Sequence, residues 1–263
     1  MILSGNTILI TGGTSGIGFE MAKQFLKLGN KVIITGRNEQ KLQSAKEQLS
    51  GLIALKCDAG NYSDISALQR QINNDFPDLN ILINNAGIMR KVNLQSHNHS
   101  ATELTGELDT NVKGPIWMVD SFLPLLKKNA KLKKNIEVAI VNVSSGLAFV
   151  PLPISPIYCA TKAALHFYTL ALREQLRNTD IKVFELAPPA TKTDLLGSFS
   201  QDDMKGTSIM PVGNMVGVFL AGLSDDKYEI CPGQSSQLKF MSRFFPNFIL
   251  KQLSKNIDAM HAS

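Results

Sequence analysis

Residues 7–18 read Thr7-Ile8-Leu9-Ile10-Thr11-Gly12-Gly13-Thr14-Ser15-Gly16-Ile17-Gly18. A short apolar run leads into Gly12, Gly16 and Gly18, spaced four and then two residues apart, and an amphipathic stretch over 16–28 follows. Apolar run, glycines and 3.6-residue period predict strand, tight turn and helix in that order. The glycines are not in the usual G-x-G-x-x-G order, but the physics is shared. They allow a sharp turn and close backbone approach, so that a pyrophosphate meets the free N–H groups at a helix N-terminus. Gly12, Thr14, Ser15, Gly16, Ile17 and Gly18 are the expected dinucleotide-binding loop.

The same alternation continues outward. Apolar runs at 31–35, 51–56, 79–84, 138–143, 181–186 and 228–231 predict six further strands, and helical periodicity is found at 38–49, 63–76, 104–128, 156–178 and 211–223. The first six strands are nearly continuous in Ile, Val and Leu, as when helices cover both faces of a parallel sheet. The predicted fold is α/β: one Rossmann-like, doubly wound domain over residues 1–263, with about seven mostly parallel strands. A chain of 263 residues, 44% hydrophobic, can bury such a core, and no linker divides it.

Composition excludes several function classes. The net charge of +5 is modest, and the basic stretch Lys127, Lys128, Lys131, Lys133 and Lys134 has no interleaved aromatics for stacking on bases. It is read as a solvated loop, with no nucleic-acid partner. Cys57, Cys159 and Cys231 have no metal-ligand spacing and suit a reducing compartment. His97 and His99 are read as solvated, so no metal is expected. A strand pattern begins almost at once, leaving no room for a signal peptide, and no apolar run reaches a membrane-spanning length. A cytoplasmic protein without stable membrane insertion is expected.

At the end of the second strand stands Thr35-Gly36-Arg37-Asn38. An acidic residue there usually meets a free ribose hydroxyl, whereas a guanidinium offers charge and a donor fork to a 2′-phosphate. NADP(H) is therefore expected over NAD(H), with Arg37 as discriminator. Asp58 follows the third strand and Asn85-Ala86-Gly87 the fourth, at the carboxyl ends where such sheets bind ligands. Asp58 is read either as an acceptor for the adenine amino group or as a turn former.

Tyr158 and Lys162 lie four apart, which puts phenol and ammonium on one helical face. Thr11 to Gly18, Asn84-Asn85-Ala86-Gly87, Asn111 in Asn-Val-Lys-Gly, Ser144-Ser145 and Tyr158-Cys159-Ala160-Thr161-Lys162 occur together in order. In these motifs the chain resembles the single-domain short-chain dehydrogenase/reductases from about residue 7 to 233, with DltE-type features. The resemblance implies an NADP-dependent oxidoreductase that moves hydride between nicotinamide and a carbonyl or secondary alcohol. It implies Tyr158 as general acid/base and Lys162 as the residue that lowers its pKa and holds the nicotinamide ribose. Ser145 is implied to hydrogen-bond the substrate oxygen, and Ser144 nearby backbone. Asn111, where Gly114 and Pro115 interrupt a helix, is implied to hold a kink and a water leading from Lys162. Pro188 and Thr193 are implied nicotinamide contacts, and Pro189 stands where most of the family has Gly. An NADP-binding sensor or scaffold with little turnover is the alternative.

The segments 147–157 and 194–211 are expected to shape an apolar substrate pocket. The tail, 237–260, is amphipathic and basic, interrupted by Pro246. It can pack on its own domain or a twin subunit, cover the substrate mouth, or touch a membrane surface. A homodimer or homotetramer is expected, through helices bearing Trp117, Phe122 and Phe167.

Overall fold

Alternate residues of a strand point to opposite faces, and the strands here are apolar on both. In the computed structural model, which describes residues 1–96, 99–132, 136–197, 199–200, 203–204, 207–255 and 257, this produces two cores. Ile8, Ile10, Val32, Ile34, Val141 and Phe184 face one side, and Leu9, Ile33, Leu82, Ile140 and Val183 face the other. His97, Lys133, Lys134, residues 198, 201, 202, 205 and 206 of the substrate segment, and residues 256 and 258–260 of the tail lie outside the described residues.

The strands are β1 (Thr7–Ile10), β2 (Lys31–Gly36), β3 (Ile53–Lys56), β4 (Ile81–Asn84), β5 (Val138–Val143), β6 (Ile181–Leu186) and β7 (Glu229–Ile230). They form one seven-stranded sheet in the order β3-β2-β1-β4-β5-β6-β7, and every pairing is parallel. The order reverses between β1 and β4, which opens the crevice where such sheets bind ligands.

Helix α1 (Gly16–Lys27), α2 (Glu39–Gln48) and α7 (Val212–Ser224) supply Met21, Phe25, Leu42, Met215 and Phe219 to the first core. Helix α3 (Tyr62–Asp75), α5 (Gly114–Leu132) and α6 (Pro156–Leu176) supply Ile65, Ile72, Phe122, Leu126 and Leu172 to the second. Phe122 is fully buried there, so it is unavailable for the subunit contact expected of it, whereas Phe167 is 69% exposed.

The helix predicted over 104–128 is divided. α4 (Ala101–Leu108) begins one turn earlier, because Ser100 and Glu103 form a reciprocal capping box. A π-helical turn, Asp109–Lys113, then joins it to α5. Gly114 is needed at this junction: a Cβ would sit 2.3 Å from the Ala59 carbonyl oxygen. The basic stretch is also corrected, since Lys127, Lys128 and Lys131 are exposed in the closing turns of α5 and not in a loop. Cations are favoured at that end of the helix dipole. The tail forms α8 (Gln234–Phe244) and α9 (Pro246–Leu253), with Pro246 opening the second helix, where its missing N–H costs nothing.

Candidate active site

A cavity of about 1040 Å³ lies along the carboxyl edge of the sheet. Its polar half is lined by Gly12, Thr14, Ser15, Gly16 and Ile17 of the loop after β1, by Gly36, Arg37 and Asp58, and by Asn85, Ala86 and Gly87. Gly12 has φ +65°, and a Cβ there would stand 2.8 Å from the Ala86 backbone, so only glycine allows the approach. Asn85 clamps the turn by donating to the Thr11 and Gly12 carbonyls at 2.9 and 3.0 Å, while Thr11 Oγ1 accepts from the Asn85 and Ala86 N–H groups. Gly18 is buried behind the loop and does not reach the cavity wall.

No side chain caps α1 at Ser15, and its first turn carries no acidic residue. Its opening N–H groups are therefore left for an anion at the cavity wall, and the residues fit a dinucleotide phosphate. Arg37 is exposed, with its guanidinium 3.9 Å from Asp58. Asp58 Oδ1 accepts from the Gly60 N–H at 2.9 Å, the turn-forming arrangement weighed for it. Lys41, not anticipated from sequence, lines the same wall as Arg37. Its signal was the i, i+4 spacing to Arg37 across Asn38, which caps α2 by accepting from the Lys41 N–H.

Tyr158 and Lys162 both point inward from α6, at 5% and 3% exposure, and both line the cavity. The Lys162 ammonium is 5.6 Å from the centre of the phenol ring and donates to the Val143 carbonyl at 2.9 Å. Ser145, just past β5, stands beside the phenol and draws its pKa down, and its Oγ accepts from the Leu147 N–H at 3.1 Å. Burial pushes the phenol above its ordinary range, against the pull of Ser145. The same burial pushes Lys162 down to about 8, with Glu107 and Glu185 acting the other way. In the chain alone, desolvation therefore outweighs the lowering of the Tyr158 pKa that the family resemblance implies.

Asn111 is fully buried at the π turn, behind the cavity wall. Its Oδ1 accepts from the Ile88 N–H at 2.9 Å, and its Nδ2 donates to the Ile88 carbonyl at 2.9 Å and to Thr161 Oγ1 at 3.0 Å. It thus ties the turn to the segment after β4 and to α6. A Cβ on Gly87 would lie 3.4 Å from both Asn111 Oδ1 and Lys162 Nζ, so Gly87 stands between the two. Pro188, Pro189 and Thr193 line the cavity, Thr193 against the glycine loop, where a Cβ on Gly16 would lie 3.0 Å from its methyl, and the Pro188 carbonyl accepts from the Gly146 N–H at 2.8 Å.

Three buried carboxylates were missed. Glu185 lies under the site, accepting from Ser144 at 2.5 Å and facing His166 Nδ1 at 2.8 Å. Ser144 is therefore held mainly by a side chain, and its approach to the Leu186 backbone oxygen is longer, at 3.4 Å. Asp203 lines the far wall and pairs with Lys91 at 2.9 Å. Glu107 on α4 is 1% exposed, and burial pushes its carboxyl up while Arg90 and Lys162 draw it back. The other half of the cavity is apolar, walled by Leu147, Leu152, Leu195, Leu196, Phe199 and the inner faces of α8 and α9. Among the described residues no cluster of three His, Cys, Asp or Glu side chains converges to hold a metal ion, and no helix is long and apolar enough to cross a membrane.

A parallel sheet reversing at β1 and β4, a glycine turn with an open helix N-terminus, and a tyrosine, lysine and serine beside it define a Rossmann-like oxidoreductase. The family model described as short chain dehydrogenase matches residues 6–204, and the chain belongs to that family, in its DltE type. It is 39% identical over 256 residues to the uncharacterized oxidoreductase DltE of Bacillus subtilis (strain 168), across 97% of this chain and 98% of that relative. It is 31% identical over 183 residues to the NADP-dependent 3-hydroxy acid dehydrogenase YdfG of Salmonella typhi, across 69% and 71% of the two chains. Among solved structures, a short-chain dehydrogenase/reductase from Burkholderia phymatum in complex with NAD has a TM-score of 0.82 at 21% identity, covering 96% of this chain and 97% of that one.

Proposed function

We propose that this oxidoreductase uses NADP(H) to interconvert an apolar carbonyl compound and its secondary alcohol, with Tyr158 as general acid/base. The observation that carries the reading is the Tyr158 phenol lining the cavity, with Ser145 beside it drawing its pKa down and Lys162 on the same helical face. NADP(H), when bound, supplies or accepts the hydride. Arg37 and Lys41 offer two positive charges at the polar end, where a 2′-phosphate would be held. The relative YdfG is named as NADP-dependent, which agrees with that preference.

The chain's own groups handle the proton. Burial keeps the phenol protonated at neutral pH, the state from which a carbonyl oxygen can receive a proton. Ser145 offers its hydroxyl to the same oxygen as charge develops there. Lys162 holds a positive charge next to the phenol that loses the proton, and Asn111 keeps the π turn, and so the wall behind Lys162, in place. Leu147, Leu152, Leu196 and Phe199 exclude water and select an apolar substrate. The same reading has the protein working in the cytoplasm as a homodimer or homotetramer, with Trp117 and Phe167 at the subunit contact.

Tyr158→Phe tests the assignment. It keeps the ring and removes the proton, so turnover of a carbonyl substrate with NADPH should fall by roughly 100-fold to 10,000-fold. NADPH affinity should stay within about twofold. Undiminished turnover in the purified variant would overturn the role given to Tyr158.

A further inference from the structure

Helices α8 and α9 have two unlike faces. Leu238, Met241, Ile249 and Leu253 turn inward and line the apolar half of the cavity. Phe240, Phe244, Phe245 and Phe248 are 56%, 60%, 52% and 55% exposed, and Leu250 is 40% exposed. Four phenylalanines are exposed on these two adjoining short helices, Phe240 and Phe244 ring to ring at 4.8 Å beside a groove against α7 and β7 and Phe248 at the cavity, and such exposed aromatic surface is of the kind that marks an interaction surface. The surface is also cationic. Between Gln234 and Lys255 the sequence has Lys239, Arg243, Lys251 and Lys255 and no acidic residue. Lys239 pairs with Glu229, but no described carboxylate lies within 4 Å of Arg243, Lys251 or Lys255.

We propose that the outer face of α8 and α9 docks the protein on an anionic lipid bilayer, with the rim of the substrate cavity held against the surface. Phenylalanines seat at the boundary of headgroups and acyl chains, and the cations meet anionic headgroups. With 11 and 8 residues the helices are too short to span a bilayer and must lie in its plane. A second copy is the competing occupant. An isologous contact would press this face against itself and set its cations against their own kind. A bilayer has the opposite charge and an apolar interior. Phe248, Gln252 and Lys255 are at once exposed and cavity-lining, so the docked face is also an edge of the cavity. An apolar carbonyl compound dissolved in the membrane would then have a direct route inward. Docking itself does not depend on the role of Tyr158, and it stands or falls separately from turnover.

The test is flotation of the full chain with phosphatidylcholine vesicles, with and without phosphatidylglycerol, at low and high salt. The intact chain should float only with the anionic vesicles, and salt should release it. Arg243→Gln with Lys251→Gln should weaken binding about 25-fold, about fivefold for each cation removed. Phe244→Ser with Phe245→Ser should abolish flotation, and thermal melts should match the parent for both variants. Should the phenylalanine variant fail to fold, the charge variant, altered only at exposed side chains, decides the matter. An intact chain that stays with the soluble fractions at low salt, or a charge variant that floats as well as the parent, overturns the proposal. So does a dimer seen by light scattering that Phe244→Ser splits while the intact chain ignores vesicles, which would assign the face to a second copy.

Discussion

Replacing Lys162 by Met should make the nucleotide-free protein more stable while removing its activity. The side chain is 3% exposed, and burial moves its ammonium from 10.5 to about 8, a difference worth about 3 kcal/mol against the charged native state. The sign follows from proton counting. Below about pH 8 the lysine is charged in both native and unfolded chains, and the whole cost is present. Between about pH 8 and 10.5 the unfolded chain binds more protons than the native one, so stability rises with pH and the cost disappears. Methionine has a similar reach and no charge, so it removes the cost at pH 7. Against this, the Val143 carbonyl loses a donor at 2.9 Å, worth about 1 kcal/mol. Glu107, already pushed up by burial, can take a proton and avoid a lone charge. The net gain is about 2 kcal/mol, or roughly 4–8 °C in Tm for a chain of this size. Thermal melts of parent and variant without nucleotide, at pH 7 and pH 10, read this directly, and the gap should shrink at the higher pH. A variant that melts at or below the parent at pH 7, or a gap that does not change with pH, would refute the reasoning.

Arg37→Ala with Lys41→Ala should reduce any preference for NADPH over NADH by at least tenfold, about 1.4 kcal/mol, in a titration following nicotinamide fluorescence. Equal loss for both nucleotides would show that the two cations do not read the 2′-phosphate. Gly12→Ala places a Cβ 2.8 Å from the Ala86 backbone at φ +65°. The loop must shift, at a cost of about 1–2 kcal/mol for the left-handed conformation alone, and NADPH affinity should drop by at least tenfold in the same titration, whereas unchanged affinity would argue against this turn as the phosphate cradle.

Much of the fold was legible because its signals are local. The apolar runs of β1, β2, β5 and β6 stand within a residue of their predicted ends. The run at 51–56 loses its first two residues, because Gly51 adopts φ +82° and the Leu52 N–H closes a turn onto Leu49. The helix predicted over 104–128 carried an interruption near Gly114 and Pro115, but the form of that interruption needed the folded chain. Gly114 and Pro115 signalled a disturbance, but the π turn answers to the Ala59 carbonyl across the molecule, which no local pattern records. Asn111 was singled out, yet its three bonds to Ile88 and Thr161 required the folded chain.

The order of strands and helices, the open N-terminus of α1 and the shared face of Tyr158 and Lys162 follow from spacing along the chain, since 2.0- and 3.6-residue periods fix which neighbours meet. Tertiary structure alone decided the rest. Phe122 went into the core, and Glu185 settled between Ser144 and His166. The basic tail became both a wall of the cavity and an exposed aromatic face. These contacts join residues distant in sequence and are selected by packing and by the need to satisfy buried charge. Neither leaves a period to read, so such pairs emerge only when the sheet brings its carboxyl edge together.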